Sequence, residues 1–323
     1  MLLVGLVAAQ LAKIVVVGGK NPIEATALAV ILGIILRNTG LVPKVFEPGI
    51  KAFEKILILG IVLLGASLNF RSIVSQGPRI LLIILTTMGI SYLAIYFLGK
   101  IFRLPQGLSI LLSVGTTICG TSAIAVTAPL IKAKQEEISY AVGTITLWGL
   151  VAILFYPKLA QFLGVTDIAF GIFAGTAIHA TPQVIGAGFI FSELAGKTAT
   201  AVKLIRNCFM APLAFLISLW YTKERREGPR ENGTRLQWTR AFPWFLFGYF
   251  FMAAFNSLGF LSEAGIKAFS DAGKFLILLG LAGIGLNTVF SSFKSVGLKP
   301  LIVGLLGALF VAGCSITLIA LIL

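Results

Sequence analysis

Twice along this chain a stretch apolar enough to sit in a lipid bilayer is interrupted by glycine, threonine and proline: residues 115–124 read GTTICGTSAI and residues 175–184 read GTAIHATPQV. In hydrocarbon an unsatisfied backbone group costs several kcal/mol, so non-helical backbone survives at that depth only where protein or a watery cavity covers it. Paired interruptions in related parts of a chain are the best sequence pointer to a transporter's substrate site.

Composition agrees with a polytopic membrane protein. The 323 residues are 58% hydrophobic and 12% charged, whereas an ordinary soluble chain is about 25% charged. The formal net charge of +14 sits in short loops between apolar spans. That placement argues against nucleic acid as a partner and for the lysine and arginine bias of cytoplasmic loops. Cys119, Cys208 and Cys314 lie far apart, with neither metal-ligand nor disulfide spacing. The chain has no Walker loop, HExxH or GxSxG motif and no nucleophile paired with a base. Neither an enzyme nor a resident cofactor is expected.

With about 20 apolar residues per span, helices are predicted near residues 2–18, 23–42, 52–70, 79–99, 138–157, 198–221, 241–261, 270–289 and 298–322. Broken segments near 106–131 and 167–195 complete an all-α fold of about 9–11 membrane segments. The first stretch carries Lys13 within its apolar run and reads as a short or peripheral helix, or as a processed leader. Residues 222–240 form a hydrophilic loop too short and too charged to bury a core. Its Asn232-Gly233-Thr234 sequon is read as incidental, because so basic a loop belongs in the cytoplasm.

Self-similarity organises these segments. GIKAF at residues 49–53 recurs at 265–269, and the helices that follow end in GASLN at 65–69 and GIGLN at 283–287. The two broken segments form a second match, each followed by one long helix. The implied order is unit A (23–102), broken unit B (106–158), broken unit B′ (167–221), the loop (222–240) and unit A′ (241–323), within a single transporter domain.

Parity constrains the breaks. If both broken segments cross the membrane, the A copies are antiparallel and the B copies parallel, which one symmetry operation cannot produce. If both are re-entrant hairpins, both pairs are antiparallel. That gives an inverted structural repeat with two tips meeting near the membrane midplane. Hairpins are the expectation; crossing broken helices would require a different helix count. Placing the 222–240 loop inside also puts Lys44, Lys51, Lys100, Arg103, Lys294 and Lys299 inside, with a cytoplasmic amino terminus; hairpins add Lys132 and Lys134.

In the first break, Gly115 and Gly120 permit backbone angles closed to other residues, while Thr116, Thr117, Thr121 and Ser122 supply hydroxyls beside Cys119. Helical arms meeting there offer free N–H groups and a positive dipole end to an anion; the alternative is a small-residue helix contact. The second break holds His179, the chain's one histidine, then Thr181, Pro182 and Gln183. Pro182 forces the helix to open. His179 is read either as a donor to an oxyanion or carrier of a coupled proton, or as a structural hydrogen-bonder. Lys203 and Arg206 share a helix face; they either offset substrate charge or snorkel to the interface. Asn69 and Asn287 end the matched helices, as caps or as pathway residues. No buried carboxylate pair of the kind that binds sodium is visible, so the coupling ion, proton or sodium, stays open.

The runs at 115–149 (GTTICGTSAIAVTAPLIKAKQEEISYAVGTITLWG) and 170–207 (FGIFAGTAIHATPQVIGAGFIFSELAGKTATAVKLIRN) resemble the YeiH-like family of conserved bacterial membrane proteins, labelled sulfate exporters. The resemblance covers most of the chain from about residue 25. It implies a bacterial inner-membrane protein with an inverted-repeat transporter fold, related in outline to bile acid and sodium/proton transporters. Many members read His-Asp-Thr-Ala-Gln-Val where this chain has His179, Ala180, Thr181, Pro182, Gln183 and Val184. A proton coupled through a His-Asp pair is therefore in doubt here.

The reading that follows is a secondary transporter, an exporter by the resemblance, of a small inorganic or organic anion such as sulfate. The anion would bind between the two breaks, with Lys203 or Arg206 supplying positive potential. The alternatives are a sodium-coupled organic acid symporter and, from another class, a non-transporting sensor or scaffold. The lipid-facing surfaces permit a homodimer without requiring one.

Overall fold

A computed structural model of the chain describes residues 1–14, 25–67, 70–210, 212–213, 216–217, 220, 245–293 and 297–323. Among them all regular structure is helical: α1 (Leu2–Ile14), α2 (Ala25–Asn38), α3 (Glu47–Lys51), α4 (Phe53–Leu64), α5 (Phe70–Ile101), α6 (Gln106–Thr117), α7 (Thr121–Leu130), α8 (Gln135–Phe162), α9 (Asp167–Ala177), α10 (Thr181–Phe191), α11 (Glu193–Cys208), α12 (Phe245–Ser257), α13 (Glu263–Asn287) and α14 (Leu298–Ile322). Among the described residues four spans have the length and hydropathy to cross a bilayer, Gly77–Ile101 within α5 and all of α8, α13 and α14. The molecule is thus an all-α membrane protein.

Several helices begin earlier than their hydropathy suggests, because polar caps set their starts. Ser192 accepts a hydrogen bond from the Ala195 N–H at the head of α11, and Ser262 accepts one from the Gly265 N–H at the head of α13. Each such cap contributes about 1 kcal/mol. α5 runs through Pro78 and extends beyond the expected 79–99. The 222–240 loop and Asn69 lie outside the described residues.

Both broken segments double back. In the second, the Phe170 ring near the start of α9 stacks on Phe191 at the end of α10, with centroids 4.2 Å apart. A continuous pair of helices would separate these residues by about 30 Å at 1.5 Å per residue. Neighbouring contacts agree. Gly171 and Gly175 of α9 face Thr198 and Val202 of α11, a parallel pairing. Gly188 of α10 faces Gly196, and Thr181 accepts from Asn207, an antiparallel one. In the first segment Gly107 and Gly115 face Glu137 and Ile145, so α6 runs parallel to α8. Leu130, the last residue of α7, lies just before Gln135, the first of α8, which returns α7 to the level where α6 began.

The two hairpins approach from opposite directions. Gln183 and Gly186 of α10 face Thr146 and Ile153 of α8. α10 is therefore parallel to α8 and α6, and the entering arm α9 is antiparallel to α6. The tips, residues 118–120 and 178–180, meet where Gly120 touches Ala180.

Helices α5 and α14 pack with the hairpins, α5 on α6 and α14 on α5, α8 and α9. On the other side α13 lies against α2 and, antiparallel, against α4. A Cβ added to Gly60 or Gly273 would come within 2.9 Å of the other's carbonyl oxygen, so two backbones touch at this crossing. α1 joins the same group through Val4 and Ala8.

A cysteine pair tests the second hairpin. Phe170→Cys with Phe191→Cys, in a chain with the native cysteines replaced, is expected to be joined within the molecule by a short bismaleimide, read by mass spectrometry of the linked peptides. Failure of both reactive cysteines to link would favour a crossing helix.

Candidate functional site

Four helix ends converge at the hairpin tips. α6 and α9 arrive with their carbonyl ends, and α7 and α10 leave with their N–H ends. Gly120 makes the first reversal possible: its φ of 74° and ψ of −127° lie in a region that residues with a Cβ avoid. In the second, Pro182 falls in the first turn of α10, where its missing N–H breaks no helical bond.

The carbonyl ends are held by two cations from α11. The Lys203 ammonium donates to the carbonyls of Ile118 (2.6 Å), Ile178 (3.3 Å) and His179. The Arg206 guanidinium donates to Thr117 and Thr116 (both 2.6 Å) of one hairpin and to Gly175 (3.1 Å) and Ile178 (3.0 Å) of the other. Lys203 is 0% exposed and Arg206 1%. Their charges sit against the negative ends of two helix dipoles, and their donors satisfy carbonyls that would otherwise be unpaired in an apolar interior.

The N–H ends are treated differently. Neither Gly120, before α7, nor Ala180, before α10, places a side-chain cap on the helix that follows. Gln183 reaches back to the Ala180 N–H (3.2 Å) and donates to the Thr146 carbonyl (3.3 Å), which ties α10 to α8. Both ends face a cavity of about 220 Å³. Its polar wall comprises Cys119, Thr121 and Ser122 of the first hairpin, Thr181 and Gln183 of the second, and Thr146 and Asn207. Its opposite wall is Phe53, Leu57, Ile58 and Ile61 of α4, Ile284 of α13 and Phe245 of α12. It extends to the end of the bundle where α4 begins and α13 finishes, at Glu54, Asn287 and Thr288.

Of the residues expected at the site, Cys119, Thr121, Ser122, Thr181, Pro182, Gln183 and Asn287 line this cavity. Others form the layer behind it. Gly115 packs on Ile124 and Ile145, Thr117 returns its hydroxyl to the Ser113 carbonyl, Thr116 is buried, and Gly120 is pressed against Ala180. His179 is 2% exposed and outside the lining; its carbonyl is bound by Lys203 and its ring interacts with the Thr116 backbone. Lys203 and Arg206 neither snorkel nor reach the cavity, because the carbonyl ends of α6 and α9 engage them first. Asn69 lies outside the described residues.

Sequence reasoning missed Asn207, Thr146, Met210 and Glu54 as lining residues. Asn207 had a signal: it stands four residues after Lys203, on the same helical face. Asn38 was also missed. It caps its own helix and holds the Thr288 carbonyl (2.9 Å) and the Phe290 N–H (2.8 Å) beyond α13. Among the described residues no group of three or more His, Cys, Asp or Glu side chains is placed to hold a metal ion.

Fold and site together define a helical membrane protein with opposed hairpins and a covered cavity at their tips. The chain belongs to the YeiH-like family of UPF0324 membrane proteins: residues 1–304 match the family described as conserved hypothetical protein 698. A UPF0324 membrane protein of Oceanobacillus iheyensis is 35% identical over 90% of this chain and 86% of its own. Relatives from Bacillus cereus (33%, covering 95% and 86%) and Bartonella henselae (31%, covering 94% and 85%) carry the same description.

Lys203→Met keeps the bulk of the unbranched stem and removes its donors. It is expected to destabilise the protein by about 1–3 kcal/mol through the carbonyls left unpaired, read as a lowered thermal midpoint in detergent, with Lys203→Arg losing less. Wild-type stability in Lys203→Met would show that the bonds to the tips contribute nothing.

Proposed function

We propose that this protein is a secondary transporter that carries a small anion across the bacterial inner membrane by alternating access. One observation carries the reading. Of four helix ends meeting at the tips, the two negative ones are neutralised by Lys203 and Arg206, while the two positive ones face the cavity with no charged side chain on their N–H groups, the neutral Gln183 reaching only that of Ala180. Helix N-termini turned toward a covered space within the spanning region favour an anionic group.

An inverted repeat is supported by how the contacts pair. α2 packs on α13 as α12 packs on α4, α5 packs on α6 as α14 packs on α9, and α4 and α13 pack on each other. In this reading the hairpins, with α5 and α14, form one body, and α2, α4, α12 and α13 the other. The mouth of the cavity lies at the end of the bundle that carries Lys44, Lys51 and Lys299. By the lysine and arginine rule this is the cytoplasmic side. At the opposite end Glu193, heading α11, is 2.7 Å from Lys274 of α13 and 2.7 Å from Lys197. The state described is then open inward, with the Glu193–Lys274 pair closing the outer end.

The polar-lined cavity disfavours a non-transporting scaffold, for which a packed centre would serve. Sulfate enters as a cargo through the family resemblance, and the coupling ion is unassigned.

The test is counterflow into proteoliposomes holding purified protein, with a panel of labelled anions comprising sulfate, a sulfonate and a carboxylate. Saturable exchange of at least one is expected from wild type, with loss in Ser122→Leu, which fills the tip. No exchange of any of them by folded protein would remove the reading. A second expectation concerns Gly149, where an added Cβ would fall 1.8 Å from the Gln183 Oε1. Gly149→Ala should displace Gln183 and slow exchange about tenfold, the effect of some 1.4 kcal/mol. Gly313→Ala, with open space around it, should leave exchange unchanged.

A further inference from the structure

The cavity at the tips differs from wall to wall in two respects, charge and polarity, and together they narrow the cargo. Among the described residues its lining contains no lysine or arginine, and its one ionisable carboxylate is Glu54 at the mouth. Lys203 and Arg206 are behind the tips with their donors on backbone carbonyls. What remains to balance an anion is the pair of helix N-termini, each worth roughly half a positive charge. Two such ends match one negative charge. A second charge on the same ligand would go uncompensated, with Glu54 adding repulsion.

Polarity gives the second restriction. Away from the mouth, where α4 carries Glu54 and α13 ends at Asn287, hydrogen-bonding side chains lie at the tips and on α8 and α11, while α4, α12 and α13 present Phe53, Leu57, Ile61, Phe245 and Ile284. An inorganic oxyanion has acceptors on every side, and those turned to the apolar wall would lose their water without gaining donors, at a cost of several kcal/mol. A ligand with one polar end does not meet that cost. The volume of about 220 Å³ also exceeds the need of a head group alone, since one water in the liquid takes about 30 Å³.

Asn207 independently points to a ligand. It lines the cavity, is 3% exposed, donates from Nδ2 to the Thr181 hydroxyl (3.1 Å) and leaves its Oδ1 without a partner. With the amide turned over, Oδ1 accepts from Thr181 and the NH₂ group is free to donate to an anionic head.

We infer that the cargo is a monovalent organic anion, a single carboxylate or sulfonate head on a short apolar body, with its head at the N-termini of α7 and α10 and its body against α4 and α13. This rests on the anion-carrier reading above and replaces inorganic sulfate as the preferred cargo.

Counterflow competition decides it, using full-length protein in proteoliposomes and, as competitors at matched ionic strength, butanesulfonate, butyrate, inorganic sulfate and uncharged butyramide. Butanesulfonate or butyrate is expected to compete at least about tenfold better than sulfate or butyramide, a difference of 1.4 kcal/mol. Ile58→Gln, which makes the apolar wall partly polar, should shrink that preference several-fold. Sulfate competing as well as the organic anions would overturn this inference and leave an anion carrier standing. Butyramide competing equally would overturn the anionic head. If no labelled anion exchanges through folded protein, the carrier reading falls as well.

Discussion

The architecture depends on satisfying backbone carbonyls deep in an apolar interior. Two helices stop short where water cannot reach, and α11 delivers an ammonium and a guanidinium to their carbonyl ends. Lys203 and Arg206 each bond to both hairpins, so the same contacts that complete the helices also fix one tip against the other. Removing either cation would leave unpaired carbonyls at the centre of the molecule, the kind of defect an apolar interior tolerates least.

This arrangement separates charge without using an ion pair. Positive side chains neutralise the negative helix ends on one side of the tips, and the positive helix ends are left facing the cavity on the other. On the proposed reading the site thereby gains an attraction for anions, while among the described residues no lysine or arginine stands in its wall. A lysine in the wall would bind an anion more tightly, and a carrier of the proposed kind must also let go. Partial charges fixed in the backbone offer a moderate attraction that does not depend on the protonation of a side chain.

Much of this was legible in the sequence because backbone exceptions have chemical signatures. Gly120 and Pro182 marked the breaks within a few residues, and the GIKAF repeats at 49–53 and 265–269 flagged the helices that became the antiparallel pair α4 and α13. Parity of the repeats anticipated that the broken segments turn back. The partners of Lys203 and Arg206 were not legible: spacing along α11 reveals a shared face, but not that the face meets carbonyls rather than a ligand or the interface. His179 drew attention as the lone histidine, yet packing set its ring behind the cavity. The apolar wall was hidden for another reason. Phe53, Leu57 and Ile61 look like any lipid-facing or core residues until tertiary structure brings them opposite the tips.

The touching backbones of α4 and α13 bear on how the protein is made. Gly60 emerges early in synthesis, whereas Gly273, against which it rests, lies in the last quarter of the chain. The first hairpin waits in the same way for α11 to bring Lys203 and Arg206. A nascent chain therefore makes α4 and the first hairpin before α13 and α11, against which they rest, have been synthesised.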